Sequence, residues 1–230
     1  MFNKKLAIIL FAGLISLLSG CSGGGGDSTS SAAPAAVPVI QIPLAGAISS
    51  FMQTSHNYNL SSVIGADNYT AQISFTPGTG CTFAGHPASS MIMSGIMRKN
   101  GVTITTDTNT LCFDASPFKE LGSVDGSGNY TIASNQQLLP SSATVGQSGA
   151  FASFTTYYGS SSILTKSSTV ETWSVEPDTA TTAWACFIST ETPMFGDKTT
   201  DTECYKVDQT GNVSAMKLSF IVDGQPVTFK

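Results

Sequence analysis

The chain has 230 residues, 11% of them charged, with 10 Lys and Arg against 15 Asp and Glu for a formal net charge of -5, and five cysteines. That length holds one large domain or two small ones with a real core, and an acidic balance without a basic cluster excludes a nucleic-acid partner. The low charged fraction, the abundance of Thr, Ser and Gly and the shortage of long helix formers point to an exported all-β protein.

The N-terminus reads first as an export signal. Lys4 and Lys5 precede an apolar run over 6–18, followed by the small residues Ser19 and Gly20 and then Cys21. The run is 13 residues long, against the roughly 20 that a membrane-spanning helix needs, so it fits the hydrophobic region of a secretory signal. Leu18-Ser19-Gly20-Cys21 resembles the lipobox of bacterial lipoproteins. The resemblance implies cleavage after residue 20, acylation of the Cys21 thiol by palmitate-type chains and anchoring in a membrane. Ser22 rather than Asp after the cysteine implies, by the same family's sorting rule, the outer membrane. Several acyl chains at about 0.8 kcal/mol per buried methylene hold a soluble domain at a bilayer persistently. Without Lys4 and Lys5 the mature chain is more acidic still, near -7.

Residues 21–43 begin with four glycines after Ser22 and continue through Ser, Thr, Ala and Pro, the composition of a flexible tether that stiffens into an extended segment. From Gly46 onward a weak internal repeat is legible. Gly46-Ala47-Ile48-Ser49-Ser50-Phe51 matches Gly149-Ala150-Phe151-Ala152-Ser153-Phe154, and Ser74-x-x-Pro77-x-Thr79 matches Ser174-x-x-Pro177-x-Thr179. Each pair of cysteines follows, Cys81 with Cys112 and Cys186 with Cys204, and then Val124-Asp125-x-x-Gly128-Asn129 matches Val207-Asp208-x-x-Gly211-Asn212. The repeat predicts two units, 44–139 and 140–230, each closing its own disulfide in an oxidising compartment.

Strand periodicity runs through both halves. Over 69–76, Tyr69, Ala71, Ile73 and Phe75 alternate with polar residues, the period of a half-buried strand. Strands are predicted at 90–97 and 102–106 around an Asn100-Gly101 hairpin turn, then at 150–158, 170–175 and 183–189, with a closing hairpin over 216–229 turning at Asp223-Gly224. One short helix is predicted over 115–121. The expected fold is all-β, a tandem pair of antiparallel β-sandwich units of immunoglobulin-like or related type, each with one disulfide.

Candidate chemistry is sparse. The imidazoles are His56 and His86, and no Gly-x-Ser-x-Gly elbow occurs, so a serine nucleophile lacks its setting. Met91, Met93 and Met97 share one strand face with His86 upstream, thioether and imidazole ligands suited to Cu(I); the same periodicity describes core filler. Asp125, Ser127 and Asn129 have the opening spacing of a calcium loop, but Tyr130 and Gln136 stand where its Gly and bidentate Glu belong, so an Asp-capped hairpin turn is expected there and at Asp208. Tyr157, Tyr158, Trp173 and Trp184 are candidates for a sugar-stacking face or for core. Glu171, Glu176 and Asp178 are the closest acidic group for glycan hydrolysis, with Glu171 and Glu176 expected on opposite strand faces.

The sequence therefore points to an envelope lipoprotein with a binding or structural role. It contacts a membrane through its N-terminal lipid and works on an envelope protein or glycan, with no cofactor and no resident metal. The alternatives are an envelope glycan hydrolase using acidic residues and a copper-handling protein using His86 and the methionine strand.

Overall fold

A computed structural model describes residues 40–161, 163–222 and 224–230; the signal, Cys21 and most of the tether lie outside the described residues, as does Asp223. The elements in chain order are β1 (Gln41–Ile42), α1 (Leu44–Phe51), β2 (His56–Ile64), β3 (Asp67–Pro77), β4 (Cys81–Phe83), β5 (His86–Lys99), β6 (Val102–Ala115), β7 (Phe118–Asp125) and β8 (Tyr130–Ser134). They continue as β9 (Ala143–Thr144), β10 (Ser148–Tyr157), β11 (Thr165–Pro177), β12 (Thr182–Pro193), β13 (Thr199–Asp208), β14 (Val213–Val222) and β15 (Gln225–Phe229).

The protein is all-β apart from α1, but its strands do not separate into two sandwiches. Twelve of them follow one another around a single antiparallel sheet in the order β2, β3, β5, β6, β7, β8, β10, β11, β12, β13, β14, β15. The expected boundary near residue 139 falls where β8 of the first half pairs with β10 of the second, Phe154 opposite Ala133. The two ends of the sheet then meet. Ser61 N–H donates to the Lys230 carbonyl at 3.1 Å and Lys230 N–H donates back to Ser61 at 3.2 Å, so the sheet closes as an up-and-down barrel with no long free edge.

The alternation read from the sequence sets the two faces of this wall. Tyr69, Ala71, Ile73 and Phe75 on β3 are all buried and face inward. Thr70, Gln72 and Thr76 between them are exposed or partly so. Ser168, Thr172 and Ser174 on β11 continue the outward face, with Val170 exposed between them. Asn100 and Gly101 both take positive φ, 51° and 82°, the conformation of the expected two-residue turn.

Both disulfides lie on the outer face. Cys81 bonds Cys112 and Cys186 bonds Cys204, the pairing the repeat predicts. Cys186 and Cys204 sit directly opposite one another on β12 and β13, with Trp184 beside them under the ammonium groups of Lys206 and Lys217. Replacing either pair by serine is expected to cost on the order of 3 kcal/mol, read as a lower urea midpoint with a steeper transition, because the denatured chain without its crosslink exposes more surface.

Two local expectations are overturned. Residues 115–121 are not helical: β6 ends at Ala115, Ser116 and Pro117 reverse the chain, and β7 begins at Phe118, with Ala115 paired to Phe118. Pairing across the barrel wall outweighs the local helical reading of that stretch. The actual helix is α1, where the repeat implied a strand equivalent to 149–154. Leu44, Ala47, Ile48 and Phe51 are its buried residues, a spacing of three and four that a helix brings to one face. The repeat therefore does not describe equivalent elements. Its Asp-Gly turns also fall at opposite ends of the barrel, between β7 and β8 and between β13 and β14.

Helix α1 closes one end of the barrel. Its Ala45 N–H donates to the Pro140 carbonyl at 3.1 Å, and Ser49 Oγ donates to the Ala115 carbonyl at 2.9 Å. The short ladder of β1 on β9 ties the preceding residues to the 135–147 connection. Gly211 lies so near Pro43 and Ala47 that a β-carbon there would stand 3.0 Å from the proline ring. At the helix C-terminus Phe51 packs among His56, Phe75 and Tyr205 with ring centroids 4.2 to 4.9 Å apart.

A second covering lies outside the wall. Residues 78–88, with β4 on β5, fold back so that Phe83 stacks on Tyr130 at 4.7 Å. Gly122 permits this approach, because a β-carbon there would lie 2.4 Å from the Phe83 ring and 2.1 Å from the Thr131 carbonyl.

Candidate lumenal binding site

Eight strands enclose just enough space for side chains to fill, and twelve leave a wider interior. Here that interior holds a cavity of about 430 Å³, running from Ile48 and Met52 of α1 to Asp125 and Ser127 at the β7–β8 turn. A side chamber of about 120 Å³ shares Asp107, Asn109, Glu171, Phe187 and Glu203 with it and adds Asp201. Cavities of this combined size are typical of small-molecule sites.

Register explains which side chains enter. Opposite residues of an antiparallel pair point to the same face, and on β12 and β13 the inward pairs are Ala185 with Tyr205, Phe187 with Glu203, and Ser189 with Asp201. On β11 and β12, Glu171 stands opposite Ser189; on β6 and β7, Phe113 stands opposite Glu120 and Asn109 opposite Asp125. The wall nearest α1 is apolar and aromatic, with Met91, Phe118 and Phe151, while Glu120, Glu171 and Glu203 face the cavity further along. Lys166 is the single basic residue lining it among the described residues.

The lumen perturbs these carboxyls strongly. Burial pushes Glu171 up to about 7, with Glu203 nearby adding to the rise against a hydrogen bond from Ser189. Burial, reinforced by Glu171 and Glu203, takes Glu120 well above its ordinary value. Glu203 is raised by burial although the Tyr205 hydroxyl donates to it. Asp201, 7% exposed, is pushed up to about 9 by burial and by Glu191. In each case the charged form loses hydration that neighbouring groups of the same sign cannot replace. Asp125 shows the contrast: burial raises it, but donations from Asn129 and Ser127 outweigh that and hold its carboxyl low.

Asp125 and Asp208 are the turn caps expected from the sequence. Asp125 Oδ1 accepts from the N–H groups of Ser127 and Asn129 at 2.8 and 2.9 Å. Asp208 Oδ1 accepts from Thr210 and Asn212 at 2.8 and 3.0 Å. Gly128 and Gly211 follow with φ of 79° and 92°, so the carboxylates are used by the backbone of their own turns.

The other residues singled out from the sequence are dispersed. Met91, Met93 and Met97 face inward on β5, Met91 and Met97 buried and Met93 partly so, while His86 is exposed where β4 and β5 pair outside the barrel. Glu171 points into the lumen, whereas Glu176 pairs outside with Lys217 at 2.8 Å. Asp178 bonds Lys206 at 2.8 Å and accepts from Trp184 Nε1 at 3.1 Å. Trp173 is buried opposite Phe187, Trp184 faces outward, Tyr157 is half-buried and Tyr158 is 53% exposed in the β10–β11 loop. The four aromatics thus form no common stacking face.

Sequence reasoning missed Glu120, Asp201, Glu203 and Tyr205. A signal for some of them was present, because Asp201, Glu203 and Tyr205 alternate with Thr202, Cys204 and Lys206 in phase with Val207. What that pattern could not supply was the neighbour. Glu120, Glu171 and Glu203 lie on three strands that only closure of the barrel brings around one space. Comparison with family models, curated proteins and solved structures finds no match for the chain.

Proposed function

We propose that this chain is a lipid-anchored binding protein of the bacterial envelope that takes a small molecule into its barrel lumen. The observation that carries the reading is the lumen itself: a cavity plugged by α1 at one end and lined by both aromatic rings and convergent polar groups, the arrangement of a ligand pocket rather than of a filled core. Acylation at Cys21, carried by the lipobox resemblance, places the barrel at the outer membrane, and the 21–43 tether gives it reach from the bilayer.

Two measurements test the two halves of this proposal. Palmitate labelling is expected to mark the wild-type mature chain and not Cys21→Ala, which should leave the membrane fraction; equal fractionation of both would remove the anchor. Native mass spectrometry of the detergent-extracted protein is expected to show a small molecule that is released on unfolding. A bare chain in every preparation, with no stabilisation across a thermal-shift metabolite screen, would remove the binding role.

A glycan hydrolase is the second reading, favoured by one feature. Glu171, raised to about 7, is poised as a general acid near a second carboxyl, Glu203. Release of reducing ends from cell-wall glycan, abolished by Glu171→Gln, would shift the assignment to it.

A further inference from the structure

We propose that the lumen selects an organic ammonium compound, placing the protonated amine among Glu171, Asp201 and Glu203 and the apolar body against Phe118, Phe151 and Phe154. This rests on the lumenal reading above and names the ligand class within it.

The first ground is an imbalance of hydrogen-bonding groups. The cavity walls present acceptors from several strands and a single cationic donor, Lys166. Two acceptors are left without partners among the described residues. Asp201 is more than nine-tenths buried, faces the side chamber, and makes no hydrogen bond or ion pair. Asn109 Oδ1, which lines both spaces, is buried with no donor. A buried acceptor without a donor is costly, and a protonated amine brings up to three N–H donors together with the missing charge.

The second ground is the make-up of the wall, which is acidic on several strands and otherwise apolar and aromatic. Among the described residues the only three potential metal-ligating side chains with donor atoms within 4.8 Å of one another are Glu176, Cys186 and Cys204, which lie outside the lumen. That group is no thiolate site, because both cysteines are disulfide-bonded. The lumenal carboxyls form no such three-oxygen cluster, so an ammonium group bonds one or two of them directly and meets the rest through its charge across the space. They surround a larger space whose remaining wall is aromatic, and aromatic faces also attract ammonium groups. An anion has one lysine to meet there, and a neutral alcohol brings no charge to favour the ionised carboxyls. In the empty barrel, crowding and burial favour the protonated forms of these carboxyls; a bound cation favours the ionised forms.

The test uses the full-length protein in detergent and three probes of one shape: 4-phenylbutylamine, 4-phenylbutanol and 4-phenylbutyrate, titrated by calorimetry at pH 7.5. The expected result is amine binding at least tenfold tighter than either analogue. It should weaken at least tenfold in the Glu171→Gln, Glu203→Gln double variant and in Asp201→Asn, and stay unchanged in Glu176→Gln, whose side chain is outside the barrel. These isosteric changes relieve repulsion, so the variants are expected to fold, as near-ultraviolet circular dichroism would verify. Equal binding of all three probes in the lumen would overturn the ammonium proposal and leave the binding-protein reading standing. Amine binding that ignores the lumenal variants, or no binding by any probe, would also overturn it; the co-purification experiment then decides separately whether the lumen is a ligand site.

Discussion

Replacing Phe51 with alanine is expected to lower the stability of the folded chain by about 3 to 5 kcal/mol, the usual cost of removing a buried phenyl ring. Phe51 is 2% exposed and is the point where α1 meets the barrel. Its ring stacks on His56 at 4.2 Å, meets Phe75 edge-on at 4.9 Å and leans on Tyr205 at 4.5 Å. Each contact reaches a different strand, so no single neighbour can collapse into the vacancy. Against a total stability of about 5 to 15 kcal/mol for a domain, the loss is large, and urea denaturation would show it as a reduced midpoint. Phe51→Leu, which retains most of the apolar volume, is expected to recover much of it. A Phe51→Ala midpoint equal to wild type would mean that α1 does not seal the barrel.

Stability is also expected to fall as pH rises from about 4.5 to 9, the reverse of a protein held by salt bridges. For Glu171 the ordinary value of 4.5 rises to about 7 in the fold, and for Asp201 3.8 rises to about 9. The folded state holds each proton more tightly than the unfolded chain does. Below the unfolded value both states are protonated and no penalty applies. Between the unfolded and folded values the unfolded chain has released its proton and the folded chain has not, so stability declines through that window and the full penalty stands above it. At about 1.4 kcal/mol per unit of pKa, Glu171 alone accounts for on the order of 3 kcal/mol. Asp125 and Asp208, whose values are lowered, act oppositely and lose their contribution only as pH falls below the ordinary carboxyl range. The optimum is therefore expected near pH 4 to 5, with urea midpoints declining toward pH 8.5 and the decline flattened in Glu171→Gln and in Asp201→Asn. A flat wild-type profile would show that lumenal water hydrates these groups fully.

This pH dependence and the ligand proposal share one cause. Carboxyls that destabilise the empty barrel are poor choices for a core, where an apolar residue at each position would pack without penalty. Their presence on inward positions of β7, β11 and β13 makes sense if something else occupies the space. A ligand that binds only the folded state adds stability in proportion to the logarithm of its concentration over its dissociation constant, so the cost of the carboxyls is offset when the lumen is filled.

The amino-acid order by itself determined many of the strands and their faces, but not β2, β7, β8 or β13. The period of two in Tyr69, Ala71, Ile73 and Phe75 needs no partner to be read, because it records which side of a pleated ribbon meets water. The positive φ angles at Asn100 and Gly101 and the capped turns at Asp125 and Asp208 are local in the same sense. Only the tertiary structure decided that these strands form one barrel instead of two sandwiches. Alternation specifies a buried side without specifying which sheet it faces, and closure depends on Ser61 meeting Lys230 across nearly the whole chain. The helix at 44–51 and the reversal at Ser116 and Pro117 were likewise settled by what they pack against. The lumenal site follows from that closure: Glu120, Glu171 and Glu203 are unrelated acidic residues along the sequence, and they perturb one another because the curved wall aims all three at one space.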